Sequence, residues 1–308
     1  MQEFAMLPIL LLAASVVALP TDVSRQTAAK DLVQEGQKLL RDGDVEQALA
    51  RFKDAVAAAP DLFDAQYGAG RVFDLVGDYR AARAHLERAI TLAPDDARDQ
   101  ALSAMGISYA FEARADDAAR YYQRVFDAQI QADDRPNASA TANAIGRIYL
   151  ESGNLRKAEE WYRTGYETGK KVSQQPAAAM ALVEMRWRNA MGRLAARRGD
   201  RKAALAHARE AKAQLDAGGN DGQQPFYPYL LGYIAFYSRD YRGAVAELAQ
   251  GDQDDPFVLG LTAQAYEKLG DKAKAAEFYT KVMASPAHSI NAAFARPRAR
   301  AFLSRSAR

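Results

Sequence analysis

Seven times along this chain a small residue is followed twelve positions later by an alanine. The pairs are Gly36 and Ala48, Gly70 and Ala82, Gly106 and Ala118, Gly146 and Ala158, Gly192 and Ala204, Gly232 and Ala244, and Ala263 and Ala275. The twelve-residue interval is constant, whereas the steps between successive small residues run 34, 36, 40, 46, 40 and 31. Rigid units joined by connections of variable length produce such a pattern, because added loop length costs little conformational entropy. The unit from Phe63 to Pro94, FDAQYGAGRVFDLVGDYRAARAHLERAITLAP, shows what is repeated. Tyr67, Val72, Phe73, Leu75 and Val76 form one apolar stripe at helical spacing, and Ala82, Leu86, Ala89 and Ile90 form a second. Gly77-Asp78 between them suits a left-handed helix stop followed by a helix N-cap. The spacing therefore predicts a helical hairpin in which Gly70 and Ala82 mark the close approach of two antiparallel helices, with Phe73 and Leu86 filling the space beside them.

Large residues recur in register with the small ones. Leu39, Phe73, Tyr109, Tyr149 and Tyr266 occupy first helices, and Phe52, Leu86, Tyr122, Tyr162, Leu248 and Tyr279 occupy second helices. Hairpin five has Ala195 and Ala208 instead, and hairpin six has Ala235 in its first helix. This pattern resembles the tetratricopeptide repeat, a helix-turn-helix of roughly 34 residues with a Leu-Gly-x-x-Tyr, then Ala, then Phe, then Pro. The early Trp of that repeat is missing throughout, and its closing Pro stands at Pro60, Pro94 and Pro256, with Pro286 one place early. The resemblance implies an all-α, right-handed superhelical solenoid of about seven hairpins over residues 29–287. Residues 288–308 then supply a C-terminal capping helix and a basic tail, because the last hairpin would otherwise expose an apolar face. Phe294, Phe302 and Leu303 are the capping candidates, with a break expected near Pro297, and Arg296, Arg298, Arg300, Arg305 and Arg308 read as a solubilising terminus.

Composition agrees with helix, since no run of alternating Val, Ile and Thr reads as a strand. The 41 basic and 39 acidic residues nearly cancel, so no global field draws the chain to nucleic acid, and no nucleic-acid partner is expected. Residues 1–20 carry an uncharged apolar stretch from Met6 to Leu19 and a Val16-x-Ala18 pair suited to signal peptidase, which reads as a signal peptide and an exported, periplasmic or secreted protein. Glu3 and the lack of Lys or Arg before the apolar run depart from the usual leader. The alternative is an inner-membrane anchor through residues 4–21, and a cytoplasmic setting ranks third. Residues 21–28 read as a polar lead-in, Asp133 to Asn137 as a loop, and Ala217 to Pro225 as a flexible loop. Pro176 is suited to a helix start, so the long step before hairpin five extends its first helix backward through Ala177.

No catalytic constellation emerges. His85, His207 and His288 are the only histidines, none lies at metal-ligand spacing, and all three read as surface imidazoles. There is no Cys, no GxSxG and no GxxxxGK[ST], so neither an enzyme, a metal nor a cofactor is expected. Function is then sought on the surface. In the resembled family the first helix of each hairpin lines an inner groove. Carried over by position, this gives Asn143 and Arg147 in hairpin four and Arg186, Asn189, Arg193 and Arg197 in hairpin five. Hairpin six adds Phe226, Tyr229, Tyr233, Phe236 and Tyr237. A basic, amide-bearing strip beside an aromatic strip suits a peptide groove, in which Asn holds an extended backbone, Arg a carboxylate, and Tyr supplies contact area. The expected function is a protein-binding scaffold that captures a partner protein or peptide, with acidic or C-terminal segments as the fitting chemistry. The alternative is a self-associating structural protein, a homo-oligomer without a specific groove. Membrane contact would come only through an uncleaved N-terminal segment.

Overall fold

A computed structural model of the chain describes residues 22–218 and 221–306. The expected leader lies outside those residues. Among the described residues there are fifteen α-helices and no strand. They pair as seven hairpins: α1 (Asp22–Arg41) with α2 (Val45–Ala58), α3 (Phe63–Val76) with α4 (Tyr79–Leu92), α5 (Arg98–Phe111) with α6 (Ala115–Gln131), α7 (Arg135–Glu151) with α8 (Leu155–Lys170), α9 (Ala177–Arg197) with α10 (Arg201–Gly218), α11 (Phe226–Tyr237) with α12 (Tyr241–Leu248), and α13 (Pro256–Leu269) with α14 (Lys272–Ala284). A final helix, α15 (Ile290–Ser306), follows. The architecture is an all-α superhelical solenoid.

The twelve-residue interval has the expected cause. A Cβ built on Gly70 would lie 2.6 Å from Leu86 Cγ and 3.1 Å from the Ala82 carbonyl oxygen. At Gly106 the corresponding neighbours are Tyr122 Cδ2 at 2.6 Å and the Ala118 carbonyl oxygen at 3.0 Å. In five of the seven hairpins the large residue four places after the alanine (Phe52, Leu86, Tyr122, Tyr162 or Leu248) thus packs on the bare glycine of the facing helix, and no side chain fits between them.

The turns repeat as strictly as the packing. Seven residues beyond each small position stands a residue with positive φ: Gly43, Gly77, Ala113, Gly153, Gly199, Arg239 and Gly270. In each turn the next amide donates to the carbonyl five residues back, as Asp78 N does to Phe73 O at 3.0 Å and Arg114 N to Tyr109 O at 3.1 Å. That is the six-to-one closure of a Schellman motif. The same residue then caps the following helix: Asp44, Asp78, Asn154, Asp200, Asp240 and Asp271 each accept a bond from the backbone amide three places on. Arg114 alone of the seven provides no such side-chain cap.

Several expectations need correction. Residues 22–28 are helical and belong to α1, and the supposed loop at Asp133–Asn137 is the start of α7, where Asp134 caps and Pro136 occupies the first turn, a place where no amide donor is missed. Pro297 does not break the terminal helix, which runs continuously as α15. This helix also does more than cover the end of the stack. It packs on α13 and α14 and reaches back to α5 and α7, first helices of hairpins three and four, so it lies along the inner face. Arg296 is 2% exposed, and His288 is buried against Asp74 with Nε2 2.8 Å from Oδ2. Neither behaves as a surface residue of a frayed tail. Burial drives the His288 imidazole below its usual range, because a charged ring is poorly solvated there. His85 is half-buried, stacked on Phe73, with Nδ1 2.7 Å from Gln66 Oε1.

Candidate functional site

Of the eleven residues expected to line the groove, Phe236 packs edge-on against Tyr237 and Tyr241, and the other ten divide into three sets. Asn143, Arg186, Asn189, Arg193 and Phe226 come together around a cleft of ≈ 310 Å³, joined there by Tyr162, Met185 and Gln223. The helices that place them are α7, α8 and α9, with Phe226 at the first turn of α11 and 44% exposed at the rim. Arg193 is only 7% exposed, yet its Nε and Nη1 have no hydrogen-bond partner among the described residues. Tyr162 Oη is likewise buried and unpartnered. The Arg193 guanidinium carbon lies 5.4 Å from the Tyr162 ring centre, a cation–π contact that leaves these polar atoms without hydrogen bonds. Burial raises the Tyr162 hydroxyl above its ordinary range, and Arg193 and Arg147 oppose that shift. Arg186 has no carboxylate within 4.0 Å among the described residues, and burial pulls its guanidinium below the usual value. Asn143 Nδ2 is held by its own helix, donating to Ser139 O at 2.8 Å, which leaves its amide oxygen at the cleft.

The second set sits deeper. Arg147 and Tyr229 line a small adjoining space of ≈ 80 Å³ with Asp252, Asp255 and Asn291. Arg147 Nη2 and Tyr229 Oη are also buried without a partner. The Arg147 guanidinium lies 4.3 Å from the Phe257 ring centre and its Nε 3.0 Å from Glu151 Oε1. Burial pushes Tyr229 up to about 12 and raises Asp255 despite the nearby Arg147 charge.

The third set does not belong to any open groove. Arg197, Tyr233 and Tyr237 close around Glu151: Arg197 Nη1 lies 3.4 Å from Glu151 Oε2 and donates at 3.4 Å to the hydroxyls of Tyr233 and Tyr237, and Tyr233 Oη donates to Glu151 Oε1 at 3.4 Å. Tyr233 is 0% exposed and part of the main core. Its expected contact with a partner is therefore corrected to a structural role. Glu151, missed in the sequence, is the hub, and its position four residues after Arg147 was the available signal. The four arginines of the three sets face three acids, Glu151, Asp252 and Asp255, and Arg186 and Arg193 line the larger cleft with no acid among its lining residues.

Arg188 and Trp187 stand where the repeat pattern fails. Arg188 Nη1 pairs with Glu210 at 2.7 Å, and Trp187 stacks on Tyr166. Among the described residues no group of three His, Asp or Glu side chains is placed to hold a metal ion, and no helix is long and apolar enough to cross a membrane.

Two tetratricopeptide repeat models match the sequence, one over residues 98–171 and the other over 33–97 and 229–289, which is well over half of the chain. The chain is a tetratricopeptide repeat protein. Known structures agree in fold. A tetratricopeptide repeat protein from Parabacteroides merdae ATCC 43184 superposes with a TM-score of 0.52 at 13% identity, covering 92% of this chain and 100% of that one. Nearly identical TPR-like repeats of a kinesin light chain from Podosopora anserina give 0.51 at 14% identity, covering 63% and 98%. No curated protein matches the chain in sequence. Tetratricopeptide repeats generally serve as scaffolds for protein-protein interaction. The unmatched interval, 172–228, holds hairpin five and the approach to hairpin six, and with them most of the residues of the cleft.

Proposed function

We propose that this protein is a binding scaffold outside the cytoplasm that captures an extended, acidic segment of a partner protein at the cleft between hairpins four, five and six. One observation carries the reading: Arg193 and Tyr162 line a cleft that also holds Arg186, and each has buried polar atoms without a hydrogen-bond partner. A buried unpaired guanidinium is costly, and an arriving carboxylate relieves that cost by charge-assisted hydrogen bonds. Asn143 and Asn189 suit the backbone of an extended chain, and Phe226 at the rim suits an apolar side chain beside the acid. The apolar stretch within residues 1–20 supports the exported setting. Of the exposed large apolar residues described (Val23, Val76, Ile130, Phe226 and Leu269), which lie on five different helices, Phe226 is the one at the cleft, and this supports capture over self-assembly.

Selection of displayed random peptides on the immobilised protein tests this. Peptides rich in Asp and Glu should be enriched on wild type. Arg193→Met should weaken the selected peptides by about tenfold or more, as expected for one lost charge-assisted bond, and that loss should shrink as salt rises. Phe226→Ala should weaken them with little salt dependence. Selection without acidic bias, or equal binding to Arg193→Met, refutes the proposal.

A further inference from the structure

The C-terminal helix makes a second use of arginine that the repeat does not require. Arg296 Nη1 donates to the carbonyls of Val282, Met283 and Ser285, at 3.2, 3.0 and 2.8 Å, while its Nη2 donates to the carbonyl of Leu75 at 3.0 Å. One guanidinium therefore satisfies the exposed carbonyl ends of two helices, α14 and α3, that are some two hundred residues apart in sequence. Helix C-termini carry such unpaired carbonyls and a partial negative charge, so a cation is favoured there. Arg300, one turn on, donates to the Leu75 carbonyl at 2.8 Å and the Tyr79 hydroxyl at 3.2 Å. Its guanidinium lies against Gly77, where a Cβ would collide with it. At the other end of the contact His288 reaches Asp74, which also accepts from Ser108 Oγ at 2.8 Å. His288 lies just before α15, and Asn291 in its first turn donates to Asp255 Oδ2 at 2.6 Å, beside the space that holds Arg147.

α15 packs on two sides. Toward its own hairpin it buries Phe302 and Ala299 in a cluster with Tyr279, Leu259 and Val282. Toward hairpins two and three it adds the polar contacts of His288, Arg296 and Arg300 to the burial of Ala292 and Ala293 in the main core. Among the described residues Arg296 and Arg300 meet only carbonyl and hydroxyl acceptors there, which lack the opposite charge and the two-pronged geometry that a carboxylate offers a guanidinium.

We propose that α15 is a reversible latch: it stays with hairpin seven, closes the superhelix by seating His288, Arg296 and Arg300 on α3 and the turn after it, and when it lifts away it uncovers Arg147 beside the binding cleft. The role of the latch in capture rests on the acidic-segment reading above, but the latch itself does not. A carboxylate-bearing segment that reaches the uncovered arginines favours the open state, because it offers them stronger acceptors than the carbonyls they leave.

The chain has no cysteine, so two engineered ones can be labelled cleanly. Spin labels at Arg80→Cys on α4 and Ser304→Cys on α15, both exposed, report the seating. The full-length protein should give one dominant short distance. Arg300→Gln and Asp74→Asn should each add a longer population, with the closed-to-open ratio falling by about tenfold for a lost charge-assisted bond. Amide exchange should quicken in the α7 segment carrying Arg147. Asp74→Asn preserves shape at a buried position, so it decides the matter if Arg300→Gln loses helix. Unchanged distances and exchange in the folded variants overturn the latch. A twelve-residue poly-glutamate peptide should move wild type toward the longer distance. If poly-glutamate fails to bind wild type while both variants widen, the acidic-segment reading fails and the latch stands.

Discussion

Ala113→Gly should stabilise hairpin three, and the seven-fold repetition of the turn allows its size to be worked out. Ala113 has φ +57°, at the place where five of the other six turns carry glycine. A residue with a Cβ in the left-handed region costs roughly 1–2 kcal/mol. Glycine removes that cost but gives the unfolded chain more freedom, worth about 0.5–1 kcal/mol relative to alanine. The net gain should be ~0.5–1 kcal/mol. Trp161 makes a suitable probe, because it packs edge-on to Phe126 of α6 with centroids 5.6 Å apart and so reports on the junction between hairpins three and four. Urea titrations followed by its fluorescence should show a higher midpoint for Ala113→Gly, and a lower one for the converse change Gly153→Ala, where φ is +91°. If Ala113→Gly lowers the midpoint or leaves it unmoved while Gly153→Ala is harmless, the left-handed turn is not the strained element described here.

Further outcomes follow from single residues. Ala82→Leu should overpack the contact with Gly70 and cost about 1–3 kcal/mol in a urea titration, whereas Ala→Leu at an exposed position should be nearly silent. Tyr233→Ala should destabilise the array by roughly 3–5 kcal/mol, as for a large aromatic removed from a core, and a variant that binds poorly yet melts like wild type would return Tyr233 to the groove. His85 has a lowered pKa because it is buried, so the unfolded chain binds a proton at higher pH than the folded one does. The neutral ring's stability is intact above the unfolded value near 6.5 and declines as pH falls below it. Thermal melts from pH 7 to pH 5 should therefore fall more steeply for wild type than for His85→Asn, and parallel slopes would count against the shift.

Much of this fold was legible because the repeat imposes one local chemistry seven times. Gly70 with Ala82 predicted a helix contact from sequence spacing alone, and Gly77-Asp78 predicted both a left-handed stop and a cap. Ala113 and Arg239 were not legible as turn residues, since neither is a residue type that favours positive φ. The site was half legible. Asn143, Arg186, Asn189, Arg193 and Phe226 converge as their positions implied, but Tyr162 was read only as packing. Its buried hydroxyl could not be told from a satisfied one without the neighbouring helices. His288, Arg296 and Arg300 were misread for a similar reason. Their partners, Asp74, Leu75 and Tyr79, lie more than two hundred residues away, and no local pattern reports such a contact. Asp74, placed between Phe73 and Leu75 in an apolar stripe, was the one hint that hairpin two expected a polar visitor.

The same long-range contact explains why the aromatic strip failed as a groove. Position within the motif tells which way a side chain faces, and Tyr229 and Tyr233 do face inward. Whether inward means solvent depends on how far the superhelix closes. Here α15 lies along the inner face and reaches α5 and α7, while hairpin six packs on α9 and α13, so inward-facing rings at Tyr229 and Tyr233 are sealed against Arg147 and Phe257. The open arc is left at hairpin five, where the repeat is least regular, the connecting segments are longest and cationic residues replace apolar ones. A residue freed from the packing rules of a repeat can be kept for recognition. Arg193 fits that description: it stands one place after the packing residue Gly192 and is buried without a partner for its Nε and Nη1. Its contact with the Tyr162 ring leaves those two nitrogens unpaired, and the acidic segment proposed above would supply the acceptors they lack.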